Sequence, residues 1–329
     1  MAAWSERRLI EKIRQASLRE NRGLLKSIGD DCCEVTAPGS FLISTDTLVN
    51  SVHFDVSFHP PHLLGRKSIA VNLSDIAAMG GKPRFVLLSL CLPGNLEWEW
   101  ISRWLDGALE ILQEYDCILI GGDTVKGREL VLTVTVLGEP VGAGAVYRNG
   151  AKEGDTVWVS GPLGTAGGGL ALLEHNKVQP ESLDVSSWDA LLNGHLNPVP
   201  RIDLGMELVQ SGLLTAMQDI SDGLATDLAH LCQASGVSAI IDGDKLPFLP
   251  ELSTAAEVLN LKLEDLILRS GEDYQLVFTV KKGKEEEFLR LMEKSRKEVF
   301  MIGEIRSGEG VFLANGDSIE EISFQGYEH

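Results

Sequence analysis

PPHLLGRKSIAVNLSDIAAMGGKPRFVLLSLCLP, residues 60–93, is the stretch on which the reading of this chain turns. Pro60 and Pro61 open it, and proline suits the first turn of a helix because the N–H it lacks would have no partner there. Leu63, Leu64, Ile69, Ala70, Leu73, Ile76 and Ala77 then recur at helical spacing and predict a long buried helix. Gly80 and Gly81 end it, and the mostly apolar RFVLLSLCLP reads as a buried strand. Asp75 sits inside this apolar helix, where a lone carboxylate would be costly.

On the N-terminal side, Leu9, Ile10, Ile13 and Ala16 predict a helix over roughly Ser5 to Arg19, and FLISTDTLV reads as a short strand ending in an acidic turn at Asp46. On the C-terminal side, EWEWISRWLDGALEILQEY is an amphipathic helix, and CILIGGD and ELVLTVTVLGEP are strands. The polar, Gly-containing YRNGAKEGD then marks a boundary, dividing the chain into 1–147 and 148–329. The second part opens with the strand TVWVSG, a Gly-rich turn and the helix AGGGLALLEH. AMQDISDG leads into a helix at Leu224 to Ala234, and strands follow at Val237 to Ile241 and Tyr274 to Val280, with a charged helix near Glu285 to Lys294. The expected fold class is α/β, with α+β layers in two domains.

The chain has 329 residues, 44% hydrophobic and 23% charged, an ordinary globular balance. No apolar run approaches the roughly 18 residues that span a bilayer, and MAAWSERRLIEKIRQ lacks a signal-peptide core, so a cytoplasmic protein is expected. A net charge of -19 repels nucleic-acid phosphates and anionic membranes, so neither is an expected partner. The five cysteines form no zinc-ligand spacing and read as buried free thiols.

The aspartates are the informative residues. Asp30 and Asp31 follow Gly29, Asp123 follows Gly121-Gly122, and Asp219 and Asp222 flank Ile220-Ser221. With Asp46 and Asp75 they sit at the ends of buried elements or on an apolar one, and carboxylates are tolerated together there when cations neutralise them. Oxygen ligands from Asp, Ser and Thr suit magnesium, which takes one or two carboxylates per ion, so seven aspartates imply several ions. Each cluster also has a plain reading as a turn, and Asp222-Gly223 has one as a helix N-cap. GPLGTAGGG at Gly161 to Gly169 either presents N–H groups to a phosphate or packs a strand closely against a helix. No GxxxxGK[ST], HRD, DFG or HExxH is present, which disfavours P-loop enzymes, protein kinases and HExxH metalloproteases.

GDD (29–31), STDTLV (44–49) with His53 after it, AVNLSDIAAMG (70–80), GGDT (121–124), YRNGAKEGD around Arg148, ISDG (220–223) and SGEDY (270–274) run in order over nearly the whole chain. Together they resemble the thiamine-monophosphate kinase family, in the superfamily of aminoimidazole-ribonucleotide synthetase and selenophosphate synthetase. The resemblance implies a homodimer whose N-terminal mixed sheets pair into a barrel at the interface. It implies an N-terminal domain for ATP, magnesium and dimerisation, and a C-terminal α/β domain completing the site. It further implies transfer of the ATP γ-phosphoryl group onto thiamine monophosphate. By motif position, Asp31, Ser44, Thr45, Asp46, Asp75, Asp123, Asp219 and Asp222 would hold magnesium ions. Gly122, Asp123, Arg148 and Ser221 would contact ATP, and His53, Glu272 and Phe324 the acceptor. Arg148 also reads as an exposed linker residue and His53 as a satisfied strand-end histidine. Family members often carry Trp where this chain has Phe324, which stacks but cannot donate a hydrogen bond.

No covalent nucleophile or general base is expected, because a phosphate acceptor is already largely deprotonated at neutral pH. A sister activity such as selenophosphate synthesis is the rival enzyme reading. Its Cys- and Lys-bearing glycine loop before the first acidic motif is missing here, since Cys32 and Cys33 follow GDD. A non-catalytic magnesium–nucleotide-binding protein is the third reading.

Overall fold

The computed structural model describes residues 5–16, 23–26, 33–36, 39–178 and 188–327. They divide into two compact units, Met1–Ile76 with Gly81–Pro140, and Ala77–Gly80 with Val141–His329.

The first unit runs α1 (Glu6–Ala16), β1 (Leu24–Lys26), β2 (Glu34–Val35), β3 (Leu42–Val49), α2 (Pro61–Ala78), β4 (Gly81–Pro93), α3 (Trp98–Glu114), β5 (Ile118–Gly127) and β6 (Val131–Pro140). Its main sheet is mixed, in the order β3-β6-β4-β5, with β4 and β5 parallel and the other ladders antiparallel. The helix expected after Pro60 is α2, and Gly80 leaves it at φ +65, the left-handed turn that glycine makes without a Cβ clash. Two strand ends fall elsewhere than the motifs predict. β3 continues past Asp46 to Val49, and β5 passes through Gly121-Gly122-Asp123 to Gly127 after a register irregularity opposite Val86 and Leu87. Glycines and an aspartate are read as turn formers, but a strand paired along its length tolerates them.

Alternation decides what each face of this sheet meets. Leu48, Leu88, Leu90, Leu132, Val134 and Val136 are buried on one face, while Ile43 on the other is 66% exposed and Val125 50%. Thr45–Thr135 and Thr47–Thr133 hydroxyl pairs cross that open face at 3.0 and 2.9 Å.

The second unit runs β7 (Thr156–Val159), α4 (Thr165–Val178), α5 (Asp189–Leu196), α6 (Ile202–Gln210), β8 (Leu214–Ile220), α7 (Leu224–Ser235), β9 (Ser238–Asp242), α8 (Pro250–Leu259), α9 (Leu263–Arg269), β10 (Gln275–Val280), α10 (Glu285–Ser295), β11 (Phe300–Arg306), β12 (Gly310–Asn315) and β13 (Ser318–Glu321). Its sheet order is β13-β12-β9-β11-β7-β10-β8. Helices alternate with strands along the chain, yet only β9 and β12 pair in parallel, because strands adjacent in sequence are mostly not neighbours in the sheet. The core joins Val157, Val159, Leu172, Leu228, Ile241, Val277 and Ile305. Both units are thus α/β layers built on mixed sheets. Among the described residues no helix is long and apolar enough to cross a membrane.

Candidate active site

In the first unit, the two-residue period of β3 turns Ser44 and Asp46 toward α2 and Thr45 away from it. Ser44 Oγ donates to Asp75 Oδ2 at 2.5 Å, and the Asp46 N–H donates to Asn72 Oδ1 at 3.1 Å. Burial, then the charge of Asp75 and a hydrogen bond to it, push the Asp46 carboxyl up to about 7. Two carboxyls in this contact share a proton or a cation, since two bare charges would repel. A carboxyl pair with a hydroxyl beside it fits a hard divalent ion whose other positions go to water or phosphate. Among the described residues no three His, Cys, Asp or Glu groups converge as a self-sufficient metal cage.

Thr45 does not join this pair, as its hydroxyl donates to Val134 O at 3.0 Å on the opposite face. Asp123 lies in register with Ser89 and Thr133, on the Thr47 side of the sheet, and its Oδ1 accepts the Thr124 N–H at 2.9 Å. At Gly122 a Cβ would stand 1.8 Å from Leu88 O, so no other residue fits that crossing. His53 accepts the Val49 N–H at Nδ1, 3.0 Å, which leaves the proton of a neutral ring on Nε2. Asp31 lies outside the described residues. A cavity of about 370 Å³ lined by Asn50, Val56, Trp100 and Arg128 is also in this unit, and no predicted site residue lines it.

In the second unit, three segments meet at the end of β8. Asp219, 4% exposed, is the penultimate residue of that strand. The N-cap of α7 is Gly223 at φ +106, so the reading of Asp222 as the cap does not hold. The turn is held instead by Asp227, whose Oδ2 accepts the N–H groups of Ser221 and Asp222 at 2.9 Å each, while Oδ1 accepts Gln218 Nε2 at 2.8 Å. Burial pushes the Asp227 carboxyl up to about 7 against the pull of those donors. The second segment crosses it where Glu272, at φ +68, donates its N–H to Ser221 O and Tyr274 donates to Ile220 O, both at 2.8 Å. The third is the tail, where Tyr327 donates to Asp222 O at 2.8 Å and the half-exposed Phe324 ring stands edge-on to His230, 5.2 Å away. Ser221, Asp222 and Glu272 are thereby brought together, and the tail that carries Phe324 joins them at Tyr327. Arg148 has an exposed side chain, and its carbonyl accepts Ser235 Oγ at 3.1 Å.

Asp273 resolves the two readings of GPLGTAGGG. Its carboxylate accepts the N–H groups of Gly164 at 2.6 Å and Ala166 at 3.1 Å, so donors at the start of α4 are already satisfied from within. This turn is a packing device and not a phosphate cradle. Burial pushes the Asp273 carboxyl up to about 7 despite those donors. Sequence reasoning passed over Asp227, Asp273 and His195. The available signal was an acidic residue on the apolar face of LATDLAHL and another immediately after Glu272.

A family model described as AIR synthase related protein, N-terminal domain, matches residues 29–139, and its C-terminal domain counterpart matches 152–314. The thiamine-monophosphate kinase of Haemophilus influenzae is 35% identical over 99% of this chain and 98% of its own. That of Aquifex aeolicus is 37% identical over 92% of this chain and 93% of its own. The crystal structure of the thiamine-monophosphate kinase from Stenotrophomonas maltophilia K279a superposes with a TM-score of 0.83 at 35% identity, covering 96% of this chain and 99% of that one. AaThiL complexed with AMPPCP and TMP superposes with a TM-score of 0.75 at 34% identity, covering 97% of this chain and 96% of that one.

Proposed function

The chain belongs to the thiamine-monophosphate kinase family of AIR synthase related proteins, and from that premise we propose that it moves the ATP γ-phosphoryl group in line onto the phosphate of thiamine monophosphate, assisted by several magnesium ions. The enzyme class and the use of ATP follow from the family. The Asp46–Asp75 carboxyl pair carries the metal part of the reading, because it is a half-buried pair whose charge calls for a cation.

Two polyanions repel by about 1 kcal/mol per unit charge pair at ~4 Å in bulk water, and more where water is excluded. When bound, magnesium ions neutralise this charge and stabilise the transferring group. Ser44, Asp46 and Asp75 would hold ions in the first unit, with Asp31, Thr45 and Asp123 assigned to them by motif position. Asp219 and Asp222 would do so in the second. Gly122, Asp123, Ser221 and Arg148 would contact the nucleotide, Arg148 as a charge-assisted donor. His53 and Glu272 would bind the acceptor, and Phe324 would offer it an aromatic face. No side chain needs to remove a proton from a phosphate acceptor. The working assignment is ATP, magnesium and dimerisation to residues 1–147 and completion of the nucleotide and acceptor site to 148–329, in a cytoplasmic homodimer. The open face of the first unit's sheet, with Ile43 and Val125 exposed, supports pairing of two such sheets into an interface barrel.

The test is Asp46→Asn, assayed for thiamine diphosphate with ATP, magnesium and thiamine monophosphate. Turnover should fall by at least ~10–100-fold without loss of thermal stability. Near-wild-type turnover would sink the metal assignment.

A further inference from the structure

Glu272 is held on three sides, and one of its holders has had no role so far. Its N–H is taken by Ser221 O at 2.8 Å. Its neighbour Asp273 is anchored in the first turn of α4. Its carboxylate Oε2 lies 3.1 Å from Nδ1 of His195, an ion-pair distance, and that imidazole is only 2% exposed. A non-glycine residue at positive φ costs about 1–3 kcal/mol, so the Glu272 backbone is imposed by these surroundings.

The approach of His195 is itself built into the sequence. A Cβ at Gly169 would stand 2.1 Å from Leu191 O and 3.2 Å from His195 Cβ. The last glycine of AGGGL therefore lets α5 close on α4 until the last turn of α5 reaches the loop carrying Glu272. This gives the glycine-rich segment a use, now that Asp273 occupies its N–H groups.

We infer that His195 is a positioning residue which aims the Glu272 carboxylate at the acceptor, and so sets affinity for the acceptor and not for ATP. The group it would meet is cationic or proton-donating, and in thiamine monophosphate the thiazolium supplies a cation and the aminopyrimidine an N–H donor. The inference rests on the proposed acceptor-binding role of Glu272.

The experiment measures KM separately for thiamine monophosphate and ATP in the full-length enzyme. Glu272→Gln and His195→Leu should each raise KM for thiamine monophosphate about tenfold, the worth of one charge-assisted contact, and leave KM for ATP unchanged. The double variant should be no worse than Glu272→Gln alone, because the histidine then has nothing to aim. His195→Asn should stay near wild type, since its amide nitrogen can stand where Nδ1 does. If the leucine variant does not fold, His195→Gln replaces it, with a raised KM expected beside a near-normal His195→Asn; equal KM values in the two amides would overturn the inference. A wild-type KM in His195→Leu beside a raised one in Glu272→Gln would overturn the role of His195 alone. An unchanged KM in Glu272→Gln would overturn the assignment of Glu272, and the inference with it.

Discussion

Two strand–turn–helix connections in the second unit look alike in sequence and are held in opposite ways. VSGPLGTAGGG joins β7 to α4, and QDISDGL joins β8 to α7; each has glycine before its helix, and each is closed by one buried aspartate. In the first, Asp273 reaches across from the loop before β10 and consumes donors at the helix start, leaving that turn with no polar face to offer. In the second, Asp227 comes from inside its own helix and takes the N–H groups of Ser221 and Asp222. The side chains of Ser221 and Asp222 stay partly exposed. A carboxylate that fills a turn makes it structural, whereas one that braces the turn from behind frees its side chains for a ligand.

The difference can be broken experimentally, and the largest effect is expected at the filled turn. Asp273→Ala leaves buried N–H groups at Gly164 and Ala166 without an acceptor, and chemical denaturation should show a loss of about 2–5 kcal/mol. Asp222→Asn should behave the other way. Thiamine diphosphate formation should drop by at least ~10–100-fold while stability stays within about 0.5 kcal/mol. An Asp222→Asn protein that melts early but turns over normally would erase the distinction.

A further effect is one of pH. The Asp273 carboxyl titrates near 7 in the folded chain against an ordinary 3.8, so the folded state binds its proton more tightly. The stabilisation this supplies is complete below about 3.8, declines as pH rises and is gone above about 7. The melting temperature should therefore fall more between pH 5 and pH 8 in the wild type than in Asp273→Asn. Parallel curves would mean that the group titrates normally.

Much of this was legible from local pattern. The apolar repeats of 60–93 predicted α2 and β4, and the acidic strings located Asp46, Asp75 and Asp222 before any fold was in view. Strand ends were less legible, because Asp46 and Gly121-Gly122 carry turn signals that full-length pairing of β3 and β5 overrides. Asp227 and Asp273 were missed for another reason. One is a lone acid in a helix and the other stands in the shadow of Glu272, and neither has a periodicity or spacing that marks it.

The sequence alone determined the longer elements, such as α2, β4, α3 and α7, and the motifs that identify the family, since periodicity, glycine stops and acidic strings are written within a few residues; it did not mark α8 or α9, nor that two helices, α5 and α6, precede β8. Tertiary structure decided which face of β3 each residue takes against α2, which turn is filled and which braced, and that His195 meets Glu272. Those outcomes depend on partners far apart in the chain, 109 residues for Gly164 and Asp273. Such contacts form only when loops close and helices pack, and no local pattern encodes that closure.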